Sequence, residues 1–152
     1  MGKGRKKLPK FPAGPSDVKT PKYGGDPTNS DKETPCWHIG HVDLEGPWSW
    51  RAAAPWDLLA TIHAKLANFE TMTWAEILKA TGGRKQGNNS HNVSLNQICK
   101  KARDRLIELG HKDIAEIFSL RLAGTQRVWG IKTGRILKVI WWDPEHNVYE
   151  ST

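Results

Sequence analysis

Apolar and polar positions follow two different periods along this chain. Leu59, Ile62, Leu66 and Phe69 recur at spacings of three, four and three. That spacing places them on one face of a helix over 55–69, and Pro55 fits its first turn. Thr73 and Glu76 form a capping box ahead of Trp74, Ile77 and Leu78, which predicts a short second helix ended by Gly82 and Gly83. Residues 82–93 read as a long, polar, basic loop. Ser94 and Gln97 make a second capping box. Leu95, Ile98, Cys99, Ala102, Leu106 and Leu109 then predict a helix over 94–109, with Cys99 on its buried stripe and Gly110 as C-cap. Asp113 and Glu116 predict a brief capped turn through Ile117.

From Phe118 the period falls to two. Residues 118–122, 126–131 and 135–142 read as three strands, joined by turns at 123–125 and 132–134. Asn147, Val148 and Tyr149 add a last short strand, and Trp48, Ser49, Trp50 and Arg51 suggest an early one. Helices followed by a meander predict an α+β fold, with N-terminal helices packed on a C-terminal antiparallel sheet.

Composition divides the 152 residues in two. Residues 1–35 hold six of the nine prolines, five of the fourteen glycines and eight of the 23 Lys/Arg. Such a segment buries too little apolar surface to offset its backbone entropy, so a disordered basic tail is expected. All eight tryptophans lie between Trp37 and Trp142, which places one domain at 36–152. Most of them read as packing residues. Trp141 and Trp142 point to opposite faces of one strand, which leaves at least one near the surface or under a helix.

The net charge of +7 is unevenly spread. Residues 84–138 carry 12 Lys/Arg against 4 Asp/Glu, whereas the segments on either side of this zone within the domain are acidic. A basic zone inside a folded domain is the electrostatic footprint of a polyanion partner. The longest apolar run has four residues, too few to span a bilayer as a helix, so no membrane partner is expected. No apolar stretch follows the basic N-terminus, and the two cysteines cannot build a disulfide framework, so the cytoplasm is the expected compartment. Cys36, His38 and His41 have ligand chemistry, but no second Cys/His pair lies at zinc-finger spacing, and no metal or cofactor is expected.

The candidate chemistry lies on the sheet and the basic loop. Arg121 and Arg127 fall on adjacent strands and have the geometry to hold a phosphate. His146 follows the third strand, and His91 lies in the loop. Together they offer an acid and a base near neutral pH. RNA cleavage without a metal needs these parts: a base for the 2′-hydroxyl, an acid for the leaving 5′-oxygen, and cations for the charged phosphorane. Arg84, Lys85, Arg135 and Lys138 are candidate RNA-binding cations, and Tyr149 offers a stacking face.

Residues 122–131, then 136–142 and 143–149 (Asp143-Pro144-Glu145-His146-Asn147-Val148-Tyr149), resemble the closing strands of the RelE/ParE-type superfamily of bacterial toxins. The resemblance covers about 30 residues. It implies a metal-independent endoribonuclease that cleaves mRNA, often on the ribosome, to a 2′,3′-cyclic phosphate, with a cognate antitoxin as partner. It matches Arg127 to the strand arginine, His146 or Tyr149 to the terminal catalytic position, and Arg121 to a second phosphate contact. Two other classes fit the charge pattern: a non-catalytic nucleic-acid-binding regulator from a phage or mobile element, and an inhibitor that binds a host protein.

Overall fold

The computed structural model describes residues 30–82 and 87–149. Its centre is a five-stranded sheet in the order β1-β7-β6-β5-β4. The strands are β1 (Cys36–His38), β4 (His91–Ser94), β5 (Glu116–Arg121), β6 (Arg127–Thr133) and β7 (Ile136–Asp143). A two-stranded ribbon, β2 (Thr81–Gly82) with β3 (Gly87–Asn88), stands apart. The α-helical pieces are α1 (Pro55–Asp57), α2 (His63–Phe69), α3 (Trp74–Lys79) and α4 (Lys100–Glu108). The fold is α+β. None of its helices is long and apolar enough to cross a membrane, among the described residues.

The meander forms as the period-two pattern predicts. β5, β6 and β7 pair antiparallel, with Leu120 opposite Val128 and Val128 opposite Trp142. Gly134, at φ +60°, closes the β6–β7 hairpin in a conformation that a side chain disfavours. A bulge between Trp129 and Gly130 shifts the register by one residue. At the bulge the Gly130 backbone lies so near the Lys138 carbonyl that a Cβ would not fit.

Alternation along the strands feeds two apolar clusters. Phe118, Leu120, Val128, Leu137, Val139 and Trp142 cluster with Ile62, Trp74 and Ile77. Trp74 is fully buried, meets Phe118 edge-on at 5.4 Å and donates its indole N–H to the Arg135 carbonyl. Ile117, Trp129, Ile140 and Trp141 cluster instead with Trp48, Val93, Ile98, Ala102 and Leu106. Both Trp141 and Trp142 are therefore buried, because each face of β7 has its own cover.

Several sequence expectations need correction. The segment 55–69 is not one regular helix. A π-helical stretch, Leu58–Ile62, separates α1 from α2. The wider turn rotates the stripe, so Ile62 is buried while Leu59 is 72% exposed. Trp56 is also exposed, not packed. The second helix forms with the full Thr73–Glu76 capping box but ends at Ala80, before the glycines. Residues 94–109 split into a 3-10 turn, Leu95–Gln97, and α4, and no Ser94 capping bond forms. Cys99 is the N-cap of α4 and half-buried rather than central to its stripe. Glu116 and Ile117 belong to β5 and not to a turn. Residues 147–149 contribute only a bridge, Ile98 to Tyr149. Trp50–Ala52 is a 3-10 turn capped by Ser49 and not a strand.

Two strands of the five-stranded sheet have no counterpart in the sequence pattern, nor does the β2–β3 ribbon. β1 pairs parallel with β7, Trp37 opposite Leu137. β4 lies inside the stretch read as a loop and pairs with β5, His91 opposite Ser119. Residues 30–35, assigned to the tail by composition, join the fold: Ser30 is buried, and the Glu33 carbonyl accepts the Trp74 amide at 2.9 Å. The expected disorder of residues 1–29 lies outside the described residues.

Candidate active site

The β5–β6 turn sets two arginines side by side. Arg121 ends β5, Arg127 opens β6, and the two are register partners. Gly124 adopts φ +54° in the turn, which suits a residue without a Cβ. Its carbonyl accepts from both guanidinium groups, from Arg121 Nε at 3.2 Å and from Arg127 Nη1 at 2.8 Å. Arg127 Nη1 also donates to the Gln126 carbonyl at 3.1 Å. Arg121 Nη1 donates to Asn89 Oδ1 at 2.6 Å, and the Arg121 amide donates to Ser90 Oγ at 3.1 Å. Two cations are thus fixed at the same end of the sheet. Burial, and then the neighbouring Arg121, lowers the Arg127 pKa, while Asp143 opposes the shift.

Asp143 faces Arg127 in register and is almost fully buried. Its carboxylate accepts three N–H groups: Trp129 Nε1 at 3.1 Å, the Asn147 amide at 2.9 Å and the Val148 amide at 3.1 Å. A buried carboxylate is tolerated where its lone pairs are filled in this way. The bonds fold residues 144–148 into a tight loop. Thr125 Oγ1 fastens the loop to the β5–β6 turn through the Pro144 carbonyl at 2.7 Å.

His146 sits at the tip of that loop with φ +60°, the one non-glycine residue at positive φ among the described residues. Such a conformation is uncommon and is held by its surroundings. The imidazole lies between two aromatic rings, Trp129 at 6.4 Å and Tyr149 at 5.7 Å, both in stacked orientation. Its pKa is lowered, first by burial and next by Arg127, with smaller contributions from His91 and Arg121 against an opposing one from Asp143. Burial and the nearby cation thus favour the neutral ring, the form that accepts a proton.

The sequence-predicted residues divide into two groups. Arg121 and Arg127 pair in register at the β5–β6 turn, His146 stacks with Tyr149 and Trp129 beyond the end of β7, and His91 lies on β4 opposite Ser119, two residues before Arg121 on β5. Arg135 does not join them. It lies in the β6–β7 turn, six residues along β6 from Arg127, or about 20 Å at strand rise. There it donates to the Thr34 carbonyl and Oγ1. Lys138 pairs with Ile131 and His38, well along the sheet from the arginines. Arg84 and Lys85 lie outside the described residues. Asp143, Asn89 and the Gly124 carbonyl were missed by sequence reasoning. Asp143 read only as the end of a strand, although its place three residues before His146 carried the signal of a loop-closing side chain.

No protein-family model, curated protein or solved structure matches this chain.

Among the described residues no group of three His, Cys, Asp or Glu side chains is placed to hold a metal ion. His38 and His41 are neighbours at 5.2 Å, and His111 joins them at 5.9 Å from His41. Burial lowers the His111 pKa. Chemically, the cluster around His146 offers a proton acceptor, an exposed second imidazole, two fixed cations and an aromatic face.

Proposed function

We propose that this chain is a toxin-like, metal-independent endoribonuclease that cleaves mRNA in the cytoplasm and is held inactive by an antitoxin protein. The observation that carries the reading is the register pairing of Arg121 with Arg127 at the strand ends, next to the loop that Asp143 holds and that presents His146. Catalysis at a phosphodiester needs cations and proton-transfer groups within reach of one phosphate. The RelE/ParE resemblance of residues 122–149 points the same way.

In this reading His146 accepts the proton of the RNA 2′-hydroxyl. The freed 2′-oxygen attacks the adjacent phosphorus and the bond to the 5′-oxygen breaks. His91 protonates that oxygen, leaving a 2′,3′-cyclic phosphate and a 5′-hydroxyl. Arg121 and Arg127 stabilise the phosphorane through charge-assisted hydrogen bonds. Tyr149 stacks on His146 and offers its phenol edge to the same phosphate.

The test is induced expression of wild type beside His146→Ala and Arg127→Ala. Wild type arrests growth with cleavage of cellular mRNA, and both variants lose the two effects together. Arrest and cleavage unchanged in both variants would remove the catalytic assignment.

A further inference from the structure

A cleft of about 220 Å³ opens beside Arg121, between α2, α3 and the end of β5. Phe69, Met72 and Leu122 form its apolar wall, and Asn68, Asn89 and Arg121 line its polar side. Lys65 lies on the same rim. Neither amide is committed to the core. Among the described residues, exposed Asn68 bonds through its side chain only to the Met72 sulfur at 3.9 Å, and Asn89 uses its oxygen for Arg121 and has no partner for Nδ2. Arg121 belongs to this cleft and to the candidate active site at once.

We propose that the cleft is a nucleobase subsite that gives the RNA contact its base preference. The inference rests on the endoribonuclease reading, since Arg121 then holds the phosphate of the nucleotide whose base enters the cleft. A base has two apolar faces and a polar edge. The wall of Phe69, Met72 and Leu122 suits the faces, and the two amides suit the edge. Lys65 and Arg121 supply the positive charge that the attached phosphates require. Amides aimed at a base edge reject the wrong base more strongly than an apolar wall does, because a mismatch leaves buried polar groups unpaired.

The experiment measures anisotropy of full-length protein with 5′-fluorescein-labelled single-stranded nine-mers of A, C or U, 2′-O-methylated so that no free 2′-hydroxyl allows cleavage. Wild type separates the three by about tenfold in Kd, in the range that one stacked and hydrogen-bonded base supplies. Asn68→Leu removes an amide and Ala80→Trp fills the cleft, both at exposed positions that the fold tolerates. Each variant draws the three affinities to within about twofold of one another, with the salt dependence of binding unchanged. A wild type without base preference, or variants that keep it, overturns the subsite. Cleavage of unmodified RNA that persists without base preference overturns the subsite alone. Failure of every nine-mer to bind overturns the subsite and the RNA reading together.

Discussion

Trp129 and Asp143 meet through one hydrogen bond, the indole Nε1 donating to the buried carboxylate at 3.1 Å. The same carboxylate holds the Asn147 and Val148 amides, so a single side chain links β6, β7 and the loop that carries His146. Replacing Asp143 with Ala leaves three donors unpaired, those of Trp129 and Val148 in buried surroundings. The expected loss is about 3 kcal/mol in urea unfolding, since each unmet donor costs on the order of 1 kcal/mol or more. Trp129→Phe loses that bond and part of the buried ring volume, and costs about 1–3 kcal/mol.

A second carboxylate works in the same way on the other side of β7. Asp43 accepts from Arg105 through both oxygens, at 2.7 and 2.8 Å, from Trp141 Nε1 at 3.1 Å, and from the Glu45 and Gly46 amides. The Arg105 hydrogen bond, opposed by burial, holds the Asp43 pKa well below the usual carboxylate range. A depressed carboxyl pKa contributes stability above the unfolded value of about 3.9, and that contribution is lost as pH falls toward the folded value. Denaturation midpoints of wild type should therefore fall between pH 5 and pH 2 more steeply than those of Asp43→Asn. Parallel curves for the two would contradict this role.

Gly46→Ala tests the same contact from the backbone side. A Cβ there would overlap the Asp43 carboxylate and lie 2.7 Å from Arg105 Nε. The ion pair must open, and stability drops by about 1–3 kcal/mol, as in other overpacked sites. Gly110→Ala is a contrasting control: its Cβ meets nothing within 4 Å, and only its φ of +89° resists substitution.

The π-helical stretch makes a prediction opposite to that of a regular helix. A straight helix over 55–69 buries Leu59 with Ile62. Here Leu59→Ser changes stability by less than about 0.5 kcal/mol, as at ordinary surface positions. Ile62→Ala costs about 2–5 kcal/mol for the lost packing. Thermal or urea unfolding of the two variants separates the arrangements directly.

The lowered His146 pKa sets the sign of a pH profile. A base acts only when deprotonated, so lowering its pKa moves the acid limb of kcat/KM to lower pH. The acid limb of activity on RNA should lie below pH 6.5, the ordinary value for histidine. Arg127→Gln removes a cation that lowers the His146 pKa and should raise it, read by NMR titration of the imidazole protons. A His146 titration that stays in place in that variant would contradict the coupling.

What the sequence made legible follows the range of the interactions. The α3 capping box, the Gly110 cap and the three meander strands depend on near neighbours, and each could be seen in residue spacing. β1 could not: Cys36, Trp37 and His38 have no period, and their pairing partner lies a hundred residues away in β7. β4 was hidden by polar side chains, which an edge strand tolerates. The π-helical stretch is invisible to a 3.6-residue template. In the site, Arg121, Arg127 and His146 could be found because turn and strand bring them together locally. Asp143 and Asn89 could not, since their roles exist only once the loop and the β4 approach are formed. Arg135 and Lys138 lie apart from that pair for the converse reason, because charge on a strand does not say at which end of the sheet it falls.

The central claim is cleavage of RNA through His146 without a metal. It is tested most directly by incubating purified protein with single-stranded RNA in EDTA and resolving the product ends. Wild type yields new 2′,3′-cyclic phosphate and 5′-hydroxyl ends, and His146→Gln lowers them by about 100-fold or more, the scale of a removed general base. Intact RNA with wild type, or the same ends at the same rate with His146→Gln, would contradict it.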